Sequence, residues 1–204
     1  MPGFRPCIIP VVDKETSPEF SLDNPLRSAL GVLRAIFFSP RSFYLNFSAD
    51  GPVKEPAIFA LLIGAMSGVL STLLVVFTEI PGAEIGVAGG LVRNVVFALL
   101  SPVAVAVGAG LYLMVLKTFV GDIAEYRQMY RMLAYASGAM VFSWIPFLGA
   151  FFFTYATLVL MAIGIRSVYR TSFLTALITA LVGFVPLALA FTWITAASAG
   201  LVAG

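Results

Sequence analysis

The chain has 204 residues, of which 60% are hydrophobic and 11% are charged, and its formal net charge is +2. A soluble domain carries roughly 25% charged residues, so this composition excludes a water-soluble fold and predicts an integral membrane protein. The basic residues cluster between apolar stretches, which is a sign of membrane orientation, and we therefore expect no nucleic-acid partner.

The N-terminal part of the chain is the most polar and divides into two segments. Residues 1–23 contain prolines and acidic residues without an apolar run, and they are predicted to form a flexible cytosolic tail. Residues 24–55 are predicted to contain a helix at 25–38, followed by a linker. The signals at the ends of this helix are Asn24, Pro25, Ser39 and Pro40.

The helix at 25–38 is predicted to be amphipathic and interfacial. Its apolar face consists of Leu26, Ala29, Leu30, Leu33, Ile36 and Phe37. Arg27 and Arg34 share the edge of another face, where each can gain about 1 kcal/mol beside anionic lipid. Two arrangements fit this pattern: the helix lies on the inner leaflet, or it packs on the cytoplasmic side of the bundle.

Residues 56–204 are predicted to form the membrane domain. The spans at 56–78 and 94–116 contain no charged residue, and the last span covers 173–197. Between them, the 34 uncharged residues 132–165 would make a single helix of about 51 Å, which is too long for a hydrocarbon core of about 30 Å.

This long uncharged run is therefore predicted to be a hairpin with its turn at Pro146, which gives spans at 123–145 and 147–165. Asp122 and Glu125 resemble a capping box, which places the start of the first arm near Ile123. The turn also returns the later basic residues to the side that carries the earlier ones.

The predicted fold is an all-α, polytopic transmembrane bundle of five spans with an N-terminal interfacial amphipathic helix. Basic residues are retained on the cytoplasmic side of short loops, so the N-terminus is predicted inside and the C-terminus outside. The same pattern predicts a multi-pass membrane protein.

The side-chain chemistry favours a protein that is not an enzyme. The chain contains no histidine, and none of its acidic residues lies within a predicted span. It therefore lacks the commonest general base and the intramembrane carboxylate of proton-coupled transporters. We predict no catalytic residue, no metal site and no cofactor.

Small residues recur at helix-packing spacing in the first two spans. Gly64 and Gly68 form a GxxxG row, and Gly108 and Gly110 each follow an alanine by four residues. The rows are predicted to pack helices within one bundle, with a homo-oligomer seam as the second interpretation. Pro102 and Pro186 are predicted to kink their helices, either for structure alone or beside a polar path.

Four short stretches, in this order and spacing, resemble the Yip family of five-span membrane proteins, specifically its bacterial and archaeal branch. They are SPRSFY (Ser39 to Tyr44), LAYASG (Leu133 to Gly138), SWIPFLG (Ser143 to Gly149) and GIRSVY (Gly164 to Tyr169). The resemblance covers roughly Asn24 to Ala190 and implies a five-helix bundle with a cytosolic N-terminus. The branch it points to implies a prokaryotic cell (inner) membrane as the location. The chain lacks the Asp-Leu-Tyr-Gly-Pro signature of the eukaryotic branch, so a Ypt/Rab GTPase partner is not implied.

Three functions remain open at this stage. The favoured one is a non-enzymatic protein that organises membrane lipids, with anionic headgroups expected, or protein partners through its cytoplasmic face. The residues predicted to bind them are Arg27, Arg34, Arg127, Arg131, Arg166 and Arg170. The alternatives are a small channel or transporter lined by serine, threonine and tyrosine hydroxyls, and an enzyme that acts on lipids.

Overall fold

The computed structural model describes residues 17–48, 50–78, 87–122, 124–145 and 147–202, and every regular element in these ranges is helical. The α-helices are α1 (Pro25–Phe38), α2 (Pro40–Asn46), α3 (Lys54–Thr78), α4 (Val87–Val120), α5 (Tyr126–Ala136), α6 (Leu148–Thr154), α7 (Met161–Tyr169) and α8 (Phe173–Val202). A 3-10 helix at Ser137–Phe142 continues α5, and a π-helical segment at Tyr155–Leu160 joins α6 to α7.

Four helical stretches within the described ranges are long and apolar enough to cross a membrane. They are Lys54–Leu74, Asn94–Phe119, Leu148–Tyr169 and Phe173–Trp193. These stretches overlap the first, second, fourth and fifth predicted spans. The protein is thus an all-helical, multi-pass membrane protein, and the segment predicted as the third span differs from the others.

That segment is the central helix of the bundle. Every residue from Met129 to Ala136 is buried, and α5 contacts α1, α3, α4 and α7. Since protein rather than lipid surrounds it, α5 can carry polar side chains that a lipid-facing helix excludes. This position explains why α5 is less apolar than the four stretches around it.

The uncharged run 132–165 folds as two helical arms joined by a tight turn. Ser143 N donates to Met140 O over 2.9 Å, Leu148 N donates to Ile145 O over 3.1 Å, and the ring of Phe147 is 98% exposed at the tip. Phe147 adopts a left-handed backbone conformation with φ of 69°. Pro146, predicted as the turn residue, lies outside the described residues.

The predicted capping box at the start of α5 is wrong. The helix begins at Tyr126 instead of near Ile123, and Glu125 makes no side-chain capping bond. Asp122 is instead paired with Lys117 at the end of α4, with Nζ and Oδ1 2.8 Å apart. The acidic residue is therefore engaged with the preceding helix and does not cap the following one.

Helix α1 has the predicted bounds and packs against the hairpin. Ala29, Val32 and Ile36 are buried, whereas Leu26 and Leu30 of the predicted apolar face remain largely exposed. The face is therefore split: one side covers the bundle, and the other side is open.

Ser39 is the single residue between α1 and α2, and we call this junction the elbow. The two helices contact one another beside the hairpin. The ring of Phe37 stacks on Tyr155 with centroids 6.0 Å apart, and it also meets the rings of Phe142 and Phe152 near the hairpin turn. Helix α2 packs on α7. The elbow therefore lies alongside the bundle.

Aromatic rings fill the space between α2, α3 and α5. Phe43 and Phe47 both approach Tyr135 edge-on, and Phe59 meets Tyr135 and Phe20 at centroid distances of 5.6 and 5.7 Å. All five rings are buried. Such pairs contribute roughly 0.5–1.5 kcal/mol each beyond the area they bury, so this cluster fixes α2 against the central helix.

Candidate functional site

We call the end of the bundle at which α3, α5 and α8 begin the basal face. Tyr44 on α2 donates through Oη to Met132 O on α5 over 3.4 Å, which brings α2 to this end. Arg166 near the end of α7 lies over the ring of Phe173 at the start of α8, 5.6 Å from its centroid. Near the basal face, α2 is therefore attached to α5, and the end of α7 is attached to the start of α8.

Arg131 is the most constrained charge on this face. Its Nε donates to Ser48 O over 2.9 Å, its Nη1 donates to Pro52 O, and its Nη2 lies 2.6 Å from Glu19 Oε2. The second carboxylate oxygen of Glu19 accepts from Ser48 N over 2.5 Å. This network ties residues near the N-terminus and the entry to α3 to the central helix.

The guanidinium of Arg131 also lies between two rings, 5.7 Å from the centroid of Phe47 and 5.8 Å from that of Tyr135. The residue is fully buried. The prediction that Arg131 faces lipid headgroups is therefore wrong, because its charge is compensated inside the protein by a carboxylate, two carbonyls and two π systems.

The other predicted arginines remain on the surface. Arg27 and Arg34 project from α1, Arg127 from the first turn of α5, and Arg166 and Arg170 from the end of α7, and all five are exposed. Arg41, which sequence reasoning used only for orientation, is exposed on α2 as well. Neither α1 nor α2 contains an acidic residue.

A surface groove of about 620 Å³ lies between α1 and α2. Its lining residues are Ser17, Pro18, Gly31, Arg34, Ala35, Phe38, Ser39, Ser42, Phe43 and Asn46. Gly31 faces the chain that precedes α1, and a methyl group there would touch Pro18 Cβ at 3.4 Å, an ordinary contact distance. Ser17 Oγ donates to Phe43 O over 2.6 Å and holds this wall in place. The groove combines an apolar floor with one cation and several polar groups.

A family model for the Yip1 domain matches residues 34–195. The chain belongs to the Yip1 domain family. The match confirms the resemblance to the Yip family, while the bacterial and archaeal branch stays a prediction. Searches among curated proteins and among solved structures gave no match.

The stretches that carry the Yip family resemblance meet in the structure. Ser39 to Tyr44 forms the elbow and most of α2, and Leu133 to Gly138 lies in the buried centre. A methyl group at Gly164, in the fourth stretch, would lie 2.8 Å from the terminal methyl of Met132 and 3.4 Å from the ring of Tyr44. Gly164 in the fourth stretch and Tyr44 in the first therefore lie at the contact between α2, α5 and α7.

The predicted packing glycines of this Yip1 protein lie in different surroundings. A methyl group on Gly64 would meet Ser101 Oγ at 3.1 Å, and one on Gly68 would meet Asn94 Cβ at 2.9 Å, so this row faces α4 of the same chain. Gly108 faces the side chain of Leu133. No described residue lies within 4 Å of such a methyl group on Gly110, so its predicted packing role has no contact in the described part of the chain to support it.

Four of the six hydroxyls considered for a channel lumen donate to carbonyls nearby in the chain. The other two have distant partners: Ser143 Oγ lies 2.7 Å from Ser67 Oγ, and Tyr155 Oη donates to Ile36 O over 3.4 Å. Thr154 and Thr157 donate to carbonyls one turn earlier in their own helix, and Ser137 donates to Ala134 O. Ser101 Oγ donates to Ala98 O over 2.8 Å, which is the carbonyl left without an amide partner by Pro102. Five of the six hydroxyls therefore serve as hydrogen-bond donors to backbone carbonyls within and between the helices.

Sequence reasoning missed Glu19, Ser39 and Ser42. Glu19 had no local signal, because its partner Arg131 is 112 positions away. The serines had one: they flank Pro40 and Arg41 directly after an amphipathic helix, and polar residues at such a break favour a surface site. Among the described residues no group of three acidic, histidine or cysteine side chains is placed to hold a metal, and the Yip1 family is not a known enzyme family.

Proposed function

We propose that this Yip1 protein is a non-enzymatic membrane protein that organises anionic lipids, and through them protein partners, at the cytoplasmic side of a prokaryotic cell membrane. The basal face is the cytoplasmic one in this proposal, because Lys54, Arg127 and Arg170 lie at that end of the bundle. The segment 126–142 is the third span along the chain, and with the four apolar stretches it brings the total to five. Its 11 α-helical and six 3-10 residues measure about 28 Å, close to a hydrocarbon core of about 30 Å.

The observation that carries the proposal is the composition of the surface of α1 and α2. Exposed Arg27, Arg34 and Arg41 stand beside exposed Leu26, Leu30 and Phe38, without an acidic residue in either helix. Apolar side chains that enter a lipid surface together with basic ones that meet its headgroups are typical of interfacial lipid binding. The channel alternative is less well supported, since its proposed lining hydroxyls are engaged in hydrogen bonds within the protein.

The test uses the full-length protein reconstituted into bilayers with spin-labelled lipids. Electron spin resonance measures how strongly each lipid associates with the protein surface. We expect phosphatidylglycerol to associate more strongly than phosphatidylcholine, with a preference that weakens as salt is added, because screening acts on exposed charges. Equal association of the two lipids at low salt would contradict the proposal.

A further inference from the structure

The groove between α1 and α2 presents three donor groups that have no partner among the described residues. They are the guanidinium of Arg34 and the hydroxyls of Ser39 and Ser42, and each side chain is exposed. Among the described cations, Arg131 and Lys117 are ion-paired and Arg166 covers a ring. Arg34 has neither kind of contact, like the exposed Arg27, Arg41, Arg127 and Arg170, but it alone of these lines the groove. None of the described residues that line the groove is acidic, so none of them provides a counter-ion for Arg34.

The position of the elbow places the charge of Arg34 beside the membrane-crossing helices. Phe37 stacks on Tyr155, which is 14 residues before the end of α7 at Tyr169, or about 20 Å along the arm. The lip of the groove therefore lies beside apolar membrane-crossing helices, well away from the basal end. A charged side chain at such a depth is costly unless it reaches the surface or binds an anion.

We propose that this groove binds the phosphate group of one anionic phospholipid, drawn below the plane of the neighbouring headgroups. Arg34 provides charge-assisted hydrogen bonds, and Ser39 and Ser42 donate to the remaining phosphate oxygens. Phe38, which is 83% exposed at the rim, packs on the glycerol and acyl carbons. A volume of about 620 Å³ is within the range of small-molecule sites. The inference rests on the proposed function and narrows it to one site.

The test is a lipid titration of the full-length protein in detergent, followed by native mass spectrometry, which resolves individual bound lipids. Phosphatidylglycerol and phosphatidylcholine are compared on the wild type and on matched variants. Arg34→Gln removes the charge inside the groove. Arg27→Gln removes an equally exposed charge two turns earlier on α1 that does not line the groove.

We expect one phosphatidylglycerol molecule to bind the wild type more tightly than the others. Its Kd should rise about tenfold in Arg34→Gln, which corresponds to the loss of a charge-assisted hydrogen bond, and stay within about twofold in Arg27→Gln. Arg34→Lys should give an intermediate value, because lysine keeps the charge and loses the bidentate geometry. The double variant Ser39→Ala and Ser42→Ala should weaken the same site.

Other outcomes separate the site from the wider proposal. If Arg27→Gln and Arg34→Gln weaken binding equally, the surface acts by diffuse charge, and the groove site is refuted while the proposed function stands. If phosphatidylcholine binds as tightly as phosphatidylglycerol, both fail. If inorganic phosphate displaces the bound lipid at equal concentration, the groove is a site for a soluble anion, and the lipid assignment is overturned.

Discussion

The Nη2 atom of Arg131 lies 2.6 Å from Glu19 Oε2, and this contact joins the central helix to the segment that precedes α1. The arginine is fully buried, whereas the Glu19 side chain keeps 23% of its exposure. A membrane-protein interior tolerates a cation when its hydrogen-bonding groups are satisfied, and all three nitrogens of this guanidinium donate.

Arg131→Met should destabilise the protein strongly. The substitution leaves a carboxylate and two carbonyls without their donor, and loss of one partner of a buried pair costs roughly 3 kcal/mol. Thermal unfolding in detergent measures the effect. The matched control is Arg127→Met, one turn earlier and exposed, where a change within about 0.5 kcal/mol is expected. Equal unfolding temperatures for the two variants would show that the buried network contributes no stability.

Gly183→Ala should destabilise the contact between α8 and α4. A methyl group there would lie 2.5 Å from two ring carbons of Tyr112, and that ring is held by a hydrogen bond from its Oη to Thr157 O. Overpacking of this kind costs about 1–3 kcal/mol. Gly110→Ala, which meets open space, should leave stability unchanged or raise it by up to about 1 kcal/mol. The packing assignment fails if the two alanines behave alike in thermal unfolding.

Two cysteine positions test the membrane topology in a Cys7→Ser background. Phe147→Cys lies at the exposed hairpin tip, and Ser172→Cys lies in the exposed link between α7 and α8. With five spans and an inside N-terminus, a membrane-impermeant maleimide should label Phe147→Cys in intact cells. It should label Ser172→Cys only after the membrane is opened. Labelling of both positions from outside would exclude the hairpin as a pair of spans.

The carboxyl group of Asp122 should titrate at an unusually low pH. A hydrogen bond from Lys117 and the charge of that residue lower its pKa. Because the folded-state pKa is depressed, the pair stabilises the protein above the ordinary pKa of aspartate and is lost as the pH falls through the lowered value. Carboxyl-carbon NMR, assigned with Asp122→Asn, follows the titration. Lys117→Met should return the pKa to its ordinary range, whereas an unchanged pKa would remove Lys117 as the cause.

The sequence predicted those features whose signals are local or set by length. Helix α1 was placed correctly because Asn24, Pro25 and Ser39 mark its ends, and the two arms of the hairpin followed from a run too long for one span. The capping box failed because Lys117, on the preceding helix, engages Asp122. A pattern of spacing within one helix cannot show a partner on another.

The candidate site was predicted only in part. Exposed arginines on α1 follow from its helical periodicity, whereas the burial of Arg131 depends on Glu19, Ser48 and Pro52, which are far away in the chain. The elbow at Ser39 was predicted as the end of a helix. The groove beside it forms only when α2 packs next to α1, and the spacing of residues within one helix does not predict such a contact.

The contact between Glu19 and Arg131 also restricts when, during synthesis, the N-terminal segment can complete its folding. A ribosome has to synthesise 112 further residues after Glu19, including α3 and α4, before the partner arginine exists. The buried hydrogen bond from Tyr44 to Met132 likewise cannot form before α5 has been synthesised. Until α5 has been synthesised, Phe43 lacks the ring of Tyr135 against which it packs, so the N-terminal segment completes its packing only after α3 and α4 have been made.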